Sequence, residues 1–126
     1  LKDYGFDTNN MSLVLRLTYG DDGILFTGDI GEEGEGALAV KEIKATVLKA
    51  PHHGSKGSSK LRFIKKVGPS VVVVSAGRNN RFGFPNKETL ERYSAVKARV
   101  FRTDLDGAVT VETRGNGLQV SGYLTP

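Results

Sequence analysis

The chain has 126 residues, of which 38% are hydrophobic and 25% charged, a composition typical of one globular domain. It contains no cysteine, which excludes disulfides and thiolate metal ligands, and no apolar run approaches the ~20 residues of a membrane-spanning helix. The formal net charge of +4 is compatible with a phosphate-bearing substrate, although many proteins that bind no nucleic acid are equally basic.

The first predicted elements form an antiparallel hairpin. Residues 11–19 alternate apolar and polar side chains, which predicts a strand with one buried face. A Gly-Asp-Asp-Gly turn at 20–23 leads into a second strand over 24–27. The acidic stretch 31–36 predicts a loop, and residues 37–44 predict a short helix.

The rest of the chain alternates strands with helices. Strands are predicted over 45–50 and 70–75, with a helix from Ser58 or Ser59 to about Val67 between them. Four consecutive valines indicate that the later of these strands is covered on both faces. A helix over 86–97 capped by Asn86, a strand over 99–102, a turn over 104–107 and a hairpin of strands 108–113 and 118–123 follow. This order predicts an α/β fold with a mixed sheet and helices on at least one face.

Several polar groups stand directly after predicted strands. Asp29 follows the second strand, His52 and His53 follow the third, residues 77–81 follow the valine strand, and Asp104 follows the next. Groups at the carboxyl ends of strands converge on one edge of an α/β sheet, where ligands bind. A carboxylate and neutral imidazoles are ligands of Zn, Mn or Fe, and a metal-activated water attacks phosphodiesters or acyl carbons.

Each of these groups also has a purely structural interpretation. Asp29 fits a turn, the two histidines fit a solvated loop end, and residues 104–107 fit a hairpin turn. A catalytic zinc takes three protein ligands plus water, and the candidates here number two to four, which is short for a two-metal site.

Four segments carry a resemblance to a known family. They contain TGD at 27–29, HHGS at 52–55, the loop AGRNNRFGFP at 76–85 and RTDLDG at 102–107. In this order they resemble the second half of the metallo-β-lactamase-like domain at the C-terminal end of ComEC-type DNA-uptake channel proteins. The resemblance extends from about Asn9 to about Thr113. More distantly, the chain is similar to phosphorylcholine esterases of the same superfamily.

The resemblance implies the C-terminal half of an αββα sandwich, with residues 1–126 forming a single, partial domain. The complete domain would bind one or two Zn or Mn ions, through Asp29 as a bridging carboxylate, His53 as the preferred imidazole ligand and His52 as a further ligand or a substrate contact. The implied catalytic residues are Asp29, His52, His53 and Asp104. The residues expected to contact substrate are Asn10, Ser12, Ser55, Arg78, Asn80 and Arg81.

The implied activity is degradation of the non-transported DNA strand during natural transformation. The expected partners are single-stranded DNA, the remainder of a parent protein with its membrane channel, and a second copy of the chain through an exposed sheet. The parent would lie in the bacterial cytoplasmic membrane with this domain on the outer side, the chain itself being soluble. A phosphorylcholine-esterase-like hydrolase and a metal-free DNA-binding module are the alternatives.

The sequence departs from the family pattern at two places. The HxHxDH-like metal motif of the first half is absent, and the chain begins at Leu1 without Met, so we expect a fragment that is inactive alone. The loop that commonly reads GHPHP reads Gly-Phe-Pro-Asn-Lys at 83–87, which replaces both histidines.

Overall fold

The computed structural model describes residues 7–125, which form a five-stranded mixed sheet, a separate two-stranded hairpin and short helices. The strands are β1 (Leu15–Tyr19), β2 (Asp22–Phe26), β3 (Val47–Lys49), β4 (Val71–Val74), β5 (Arg99–Arg102), β6 (Val109–Thr113) and β7 (Leu118–Gly122). The helices are α1 (Glu32–Ala37), α2 (Leu61–Val67), α3 (Lys87–Ala95) and α4 (Thr103–Asp106). Short 3-10 turns occupy Thr8–Met11, Leu38–Val40 and Pro51–Gly54. No helix within residues 7–125 is long and apolar enough to cross a membrane.

The strands of the sheet follow the order β1-β2-β3-β4-β5. β1 pairs antiparallel with β2, as the predicted hairpin requires, whereas β2, β3, β4 and β5 run parallel to their neighbours. Parallel neighbours need crossover connections, and α2 and α3 supply those between β3 and β4 and between β4 and β5. The carboxyl ends of four strands therefore meet at one edge of the sheet.

The two faces of the sheet are covered by different elements, because successive side chains of a strand point to opposite faces. The face under α2 and α3 has a buried cluster that includes Leu25, Leu48, Ile64, Val67, Val72, Val74 and Tyr93. The face under the β6–β7 hairpin has a second cluster that includes Ile24, Val47, Val71, Val73, Phe101, Val109 and Val120. The helices thus lie on one face of a mixed sheet, as predicted, and the valine strand contributes to both clusters.

The β6–β7 hairpin is anchored at the end of the sheet opposite the carboxyl ends of the parallel strands, where β1 turns into β2. The Asp22 carboxylate accepts hydrogen bonds from the Thr113 hydroxyl and, at 3.0 Å, from the Gly117 amide. The Asp21 amide donates to the Gly115 carbonyl at 2.7 Å. Asp22 is only 7% exposed, so these bonds satisfy a carboxylate that would otherwise be buried without partners.

The prediction that one face of the first strand is buried is wrong. β1 begins only at Leu15, and all five of its residues are exposed, with Leu15 at 45% and Leu17 at 49%. The register pairs Leu17 with Ile24, which places the β1 leucines on the face that carries the hairpin. The hairpin cluster reaches Ile24 in β2 but includes no residue of β1. The leucines of β1 therefore form an exposed apolar edge on the face of the sheet that carries the hairpin.

The prediction for residues 31–44 is also wrong. The stretch expected to be a loop contains α1, and the expected helix over 37–44 is reduced to the 3-10 turn at Leu38–Val40. α1 has three glutamates and two glycines, a composition that does not predict a stable isolated helix. Tertiary bonds support it, because the Asn10 side-chain oxygen accepts hydrogen bonds from the amides of Gly31 at 2.8 Å and Gly34 at 3.1 Å.

Candidate metal centre

The loops that follow the parallel strands form a cleft at the sheet edge. Its volume is about 810 Å³, and its lining residues are Asp29, His52, His53, Ser75, Ala76, Gly77, Asn80, Phe82 and Phe84. Asp29 comes from the loop after β2, the two histidines from the turn after β3, and the remaining residues from the loop after β4. Three of the four predicted catalytic residues are therefore brought together by the topology of the sheet.

The histidine pair adopts a backbone conformation that is unusual for residues with a side chain. His52 has φ 46° and His53 has φ 56°, both in the left-handed region, which costs about 1–2 kcal/mol per residue. The turn is held by a bond from the His52 amide to the Gly28 carbonyl at 3.0 Å. It also requires glycine at 54, where φ is 81° and an added Cβ would lie 2.6 Å from the Pro85 Cβ. This conformation aims both imidazoles into the cleft.

The surroundings of the His53 ring fix the position of one of its protons. Its Nδ1 lies 2.7 Å from the Ser75 carbonyl oxygen, which can only accept, so Nδ1 carries a proton and donates. In the neutral ring, Nε2 then presents a lone pair, and it faces the Asp29 Oδ1 at 3.5 Å. A backbone carbonyl that orients a histidine in this way is the usual second contact of a metal ligand.

The distance between these two atoms fits a shared cation. Two tetrahedral zinc ligands at ~2.1 Å from the metal lie roughly 3.4 Å apart. Within residues 7–125, however, no group of three His, Asp, Glu or Cys side chains is close enough to hold a metal. Among the described residues, His53 and Asp29 could therefore offer a cation only two ligands, one fewer than a catalytic zinc takes.

Asp29 is positioned by residues from two other elements. Its amide donates to the Ser12 hydroxyl at 3.1 Å, and that hydroxyl donates to the Asn9 carbonyl at 2.7 Å. Lys49 ends β3, the strand beside β2, and its ammonium group donates to the Ala50 carbonyl at 3.2 Å. Burial lowers the pKa of Lys49, and the negative charge of Asp29 opposes this shift. Ser12, predicted to contact substrate, instead bonds to the backbone of the metal-ligand candidate.

A row of aromatic rings extends from His52 to the cleft entrance. The centroid of His52 lies 5.7 Å from that of Phe84 in an edge-to-face arrangement, and Phe84 stacks on Phe82 at 5.5 Å. Asn80, a predicted substrate contact, lines the same cleft, but its amide holds the loop by bonds to the Phe84 backbone. Arg81 extends from this loop, with its guanidinium carbon 4.9 Å from the Phe82 centroid.

Asp104 does not join the cleft. Residues 103–106 form the one-turn helix α4 instead of the predicted turn, and the Asp104 carboxylate makes a bidentate pair with Arg102 at 3.0 and 2.6 Å. Hydrogen bonds from Arg102 hold the pKa of Asp104 below its usual value, even though burial acts in the opposite direction. The Asp104 carboxylate is thus occupied by Arg102 at the end of β5, and its predicted catalytic role gains no support from this arrangement.

The other predicted substrate contacts have mainly local roles. The Asn10 side chain supports α1, and the Ser55 hydroxyl accepts a hydrogen bond from the Gly57 amide at 3.2 Å. Arg78 and Arg81 are exposed on the loop after β4, and the Arg78 Nε makes one long bond of 3.4 Å to the Asp104 carbonyl. The two arginines are therefore available to meet an anion at the cleft.

Three features of the site were missed in the sequence. Lys49 is the one charged residue of the predicted strand 45–50, and that charge was the available signal. Phe82 was missed although an aromatic residue is unexpected in a loop of Gly, Asn and Arg, and Phe84 was noted only as a replacement for histidine. The carbonyl of Ser75 left no signal, because its role depends on the position of His53 after β3.

The chain matches known proteins over most of its length. The model of the metallo-beta-lactamase superfamily matches residues 8–78, and the chain belongs to this superfamily. It is 42% identical over 103 residues to ComE operon protein 3 of Bacillus subtilis, which covers 80% of the chain and 13% of that protein. It is 37% identical over 106 residues to competence protein ComA of Neisseria gonorrhoeae, which covers 82% of the chain and 15% of that protein.

A third relative extends the match further along the chain. Recombination protein 2 of Haemophilus influenzae is 33% identical over 117 residues, which covers 93% of the chain and 15% of that protein. The resemblance to competence proteins is therefore confirmed. The chain spans only 13% to 15% of the length of these three relatives.

Proposed function

We propose that the chain is part of a metal-dependent phosphodiesterase that degrades the non-transported DNA strand during natural transformation. The observation that carries this proposal is the pair formed by His53 Nε2 and Asp29 Oδ1, 3.5 Å apart, with the Ser75 carbonyl fixing the ring. The name of one relative, competence protein ComA of Neisseria gonorrhoeae, supports the biological setting.

Each residue of the cleft has a defined part in the proposed reaction. His53 and Asp29 hold Zn or Mn, and Ser12 fixes the backbone of Asp29. A metal bound there would supply a water of lowered pKa and would polarise a phosphoryl oxygen. His52 faces the substrate from the same cleft, and the exposed guanidinium groups of Arg78 and Arg81 meet the DNA phosphates.

We further propose that this chain is inactive alone and that its partner is the remainder of a longer parent protein. Residues 7–125 offer two ligands, fewer than the three that a catalytic zinc requires, and we propose that the parent supplies the others. The proposed parent lies in the bacterial cytoplasmic membrane with this domain on the outer side, and single-stranded DNA is the proposed substrate.

The exposed apolar edge at β1 supports contact with that parent. Leu15 and Leu17 lie on the face of the sheet that carries the β6–β7 hairpin, and Phe26, which pairs with Leu15, is 39% exposed. Apolar patches of this kind mark surfaces that are covered by another chain or segment. Without the rest of the parent, we expect two copies of the chain to pair through this surface.

The test compares metal content and hydrolysis in this chain and in the proposed full-length parent. We expect about one or two Zn or Mn ions per parent molecule by elemental analysis, and little metal in the short chain. Asp29→Asn and His53→Gln should each lower hydrolysis of single-stranded DNA by the parent about a hundredfold or more. Asp21→Asn, a matched change at an exposed carboxylate that makes no side-chain bond in residues 7–125, should leave both readouts unchanged. A parent that carries no metal, or that hydrolyses DNA normally without Asp29, would refute the proposal.

A metal-free DNA-binding module is the second candidate. It is favoured by Phe84, which stands where the family commonly has histidine and packs its ring against His52 at 5.7 Å. The same elemental analysis separates the two functions, because a binding module would retain affinity for DNA while it carries no metal in either form of the protein.

A further inference from the structure

The aromatic row at the cleft entrance has no role in holding a metal. Phe82 and Phe84 are nearly parallel, with an interplanar angle of 17°, and their centroids are 5.5 Å apart. Phe82 is 63% exposed, which is unusual for a large apolar ring in a loop that is otherwise polar. Phe84 lines the cleft beside His52, so the row joins the outer surface to the candidate metal centre.

The loop that carries the two rings is held in place by several hydrogen bonds. The Asn80 amide nitrogen donates to the carbonyls of Gly77 at 2.9 Å and Phe84 at 2.7 Å, and its oxygen accepts from the Phe84 amide at 2.9 Å. Beyond the loop, the Asn86 amide donates to the Gly54 carbonyl at 2.9 Å. The rings are thus presented in a fixed orientation, which reduces the entropy lost when a ligand binds.

The charge around the rings indicates what the ligand is. The Arg81 guanidinium lies over the Phe82 ring at 4.9 Å, and Arg78 is exposed on the same loop. A flat aromatic surface with adjacent guanidinium groups suits a planar ring that is linked to an anion. An unpaired nucleobase and its backbone phosphate have this chemistry, and stacking on aromatic side chains is how single strands are commonly held.

We propose that Phe82 and Arg81 form a stacking subsite for an unpaired nucleobase at the entrance of the cleft. The base stacks at the Phe82 end of the row, and the Arg81 guanidinium, which lies over the Phe82 ring in this structure, turns to pair with the adjoining phosphate. The next phosphodiester along the strand then enters the cleft that contains His53 and Asp29. This inference rests on the proposed phosphodiesterase function. It also gives a reason why single-stranded DNA would be preferred to duplex DNA, because bases in a duplex are stacked on one another and cannot reach the ring.

The test is a binding measurement that does not depend on metal or turnover. A short dye-labelled thymidine strand, the same strand with abasic sites, and a duplex of equal length are titrated with this chain in EDTA, and Kd is read from fluorescence anisotropy. We expect the intact strand to bind roughly tenfold or more tightly than the abasic strand and the duplex. Phe82→Ala should weaken binding of the intact strand by about ten- to a hundredfold, and Phe82→Trp should preserve it.

Two further variants separate stacking from other contributions. Phe82→Leu keeps an apolar side chain without an aromatic face and should bind as poorly as Phe82→Ala. Tyr19→Ala removes a ring of similar exposure, 62%, from β1 and should have no effect on Kd. Because Phe82 is mainly exposed, urea denaturation should show that its variants remain folded.

Equal affinities for the intact and abasic strands, unchanged binding by Phe82→Leu, or no measurable binding of the single strand would each overturn the inference. These outcomes are distinct from failure of the proposed function. A chain whose parent hydrolyses DNA but whose Phe82 variants bind normally refutes only the stacking subsite. A chain that binds single strands through Phe82 while its parent carries no metal refutes only the hydrolase.

Discussion

The buried carboxyl group of Glu35 should make the stability of the chain depend on pH in an unusual direction. Glu35 lies in α1, is 4% exposed, and accepts hydrogen bonds from the amides of Ser59 and, at 2.9 Å, Lys60. Burial raises its pKa from 4.5 to about 7, although these amides and the charges of Lys60 and Arg92 act in the opposite direction. Protonation of Glu35 therefore favours the folded state.

The sign and size of the effect follow from the two pKa values. The pKa in the folded state is the higher one, so the stabilising contribution is complete below about pH 4.5 and is lost as the pH rises through about 7. At 1.36 kcal/mol per pKa unit, the loss between pH 5 and pH 8 is about 2 to 3 kcal/mol. For a domain of this size, the urea midpoint should fall by roughly 1 to 2 M.

The assay is urea denaturation of the wild type and of Glu35→Gln at several pH values from 5 to 8. Gln has no charge to desolvate, so the stability of this variant should change less over the same range, even if its absolute stability is lower. Glu33→Gln, an exposed glutamate in the same helix, should follow the wild type. If the pH profiles of the wild type and Glu35→Gln are parallel, the carboxyl group ionises near its ordinary pKa and the reasoning is refuted.

Three further predictions concern the site and the exposed sheet. Ser12→Ala removes the hydroxyl that accepts a hydrogen bond from the Asp29 amide. The metal affinity of the proposed parent, measured by calorimetric titration, should fall about ten- to a hundredfold. An unchanged affinity would contradict a positioning role for Ser12. Gly54→Ala places a Cβ 2.6 Å from the Pro85 Cβ at a residue with φ 81°. The urea midpoint should therefore drop by an amount equivalent to about 2 kcal/mol or more of unfolding free energy. An unchanged midpoint would show that the turn differs from this geometry. Leu17→Lys places a charge on the exposed edge strand β1. It should shift the chain from dimer toward monomer in analytical ultracentrifugation. A wild-type chain that is already monomeric would exclude pairing through this face.

Much of the core fold was predictable because it rests on local patterns. The hairpin of β1 and β2, the valine strand with both faces covered, and α3 with its Asn86 cap all appear at the expected places. The Asn86 side chain accepts from the Glu88 amide at 3.0 Å, as an N-cap should. Such features depend on residues that are neighbours in sequence, so the sequence carries their signal directly.

The errors occurred where distant contacts override local preference. α1 has an unfavourable composition but is stabilised by Asn10 from before β1 and by the amides of Ser59 and Lys60. β1 has an alternating pattern that predicts a buried face, yet the hairpin above the sheet does not reach it. In both cases the outcome depends on whether a distant part of the chain makes contact, and a local pattern does not include that information.

The features of the candidate site also divide into those that the sequence predicted and those that depend on tertiary contacts. The sequence alone determined that Asp29 and the histidine pair follow neighbouring strands, because strand ends can be located from apolar runs and turn residues. Only the tertiary structure decided that His53 directs Nε2 toward Asp29, that Asp104 is paired with Arg102, and that Phe82 forms the exposed end of an aromatic row. Ring orientation, ion pairing and stacking depend on distances of a few ångströms between elements, and those distances are set by how the sheet, helices and loops pack together.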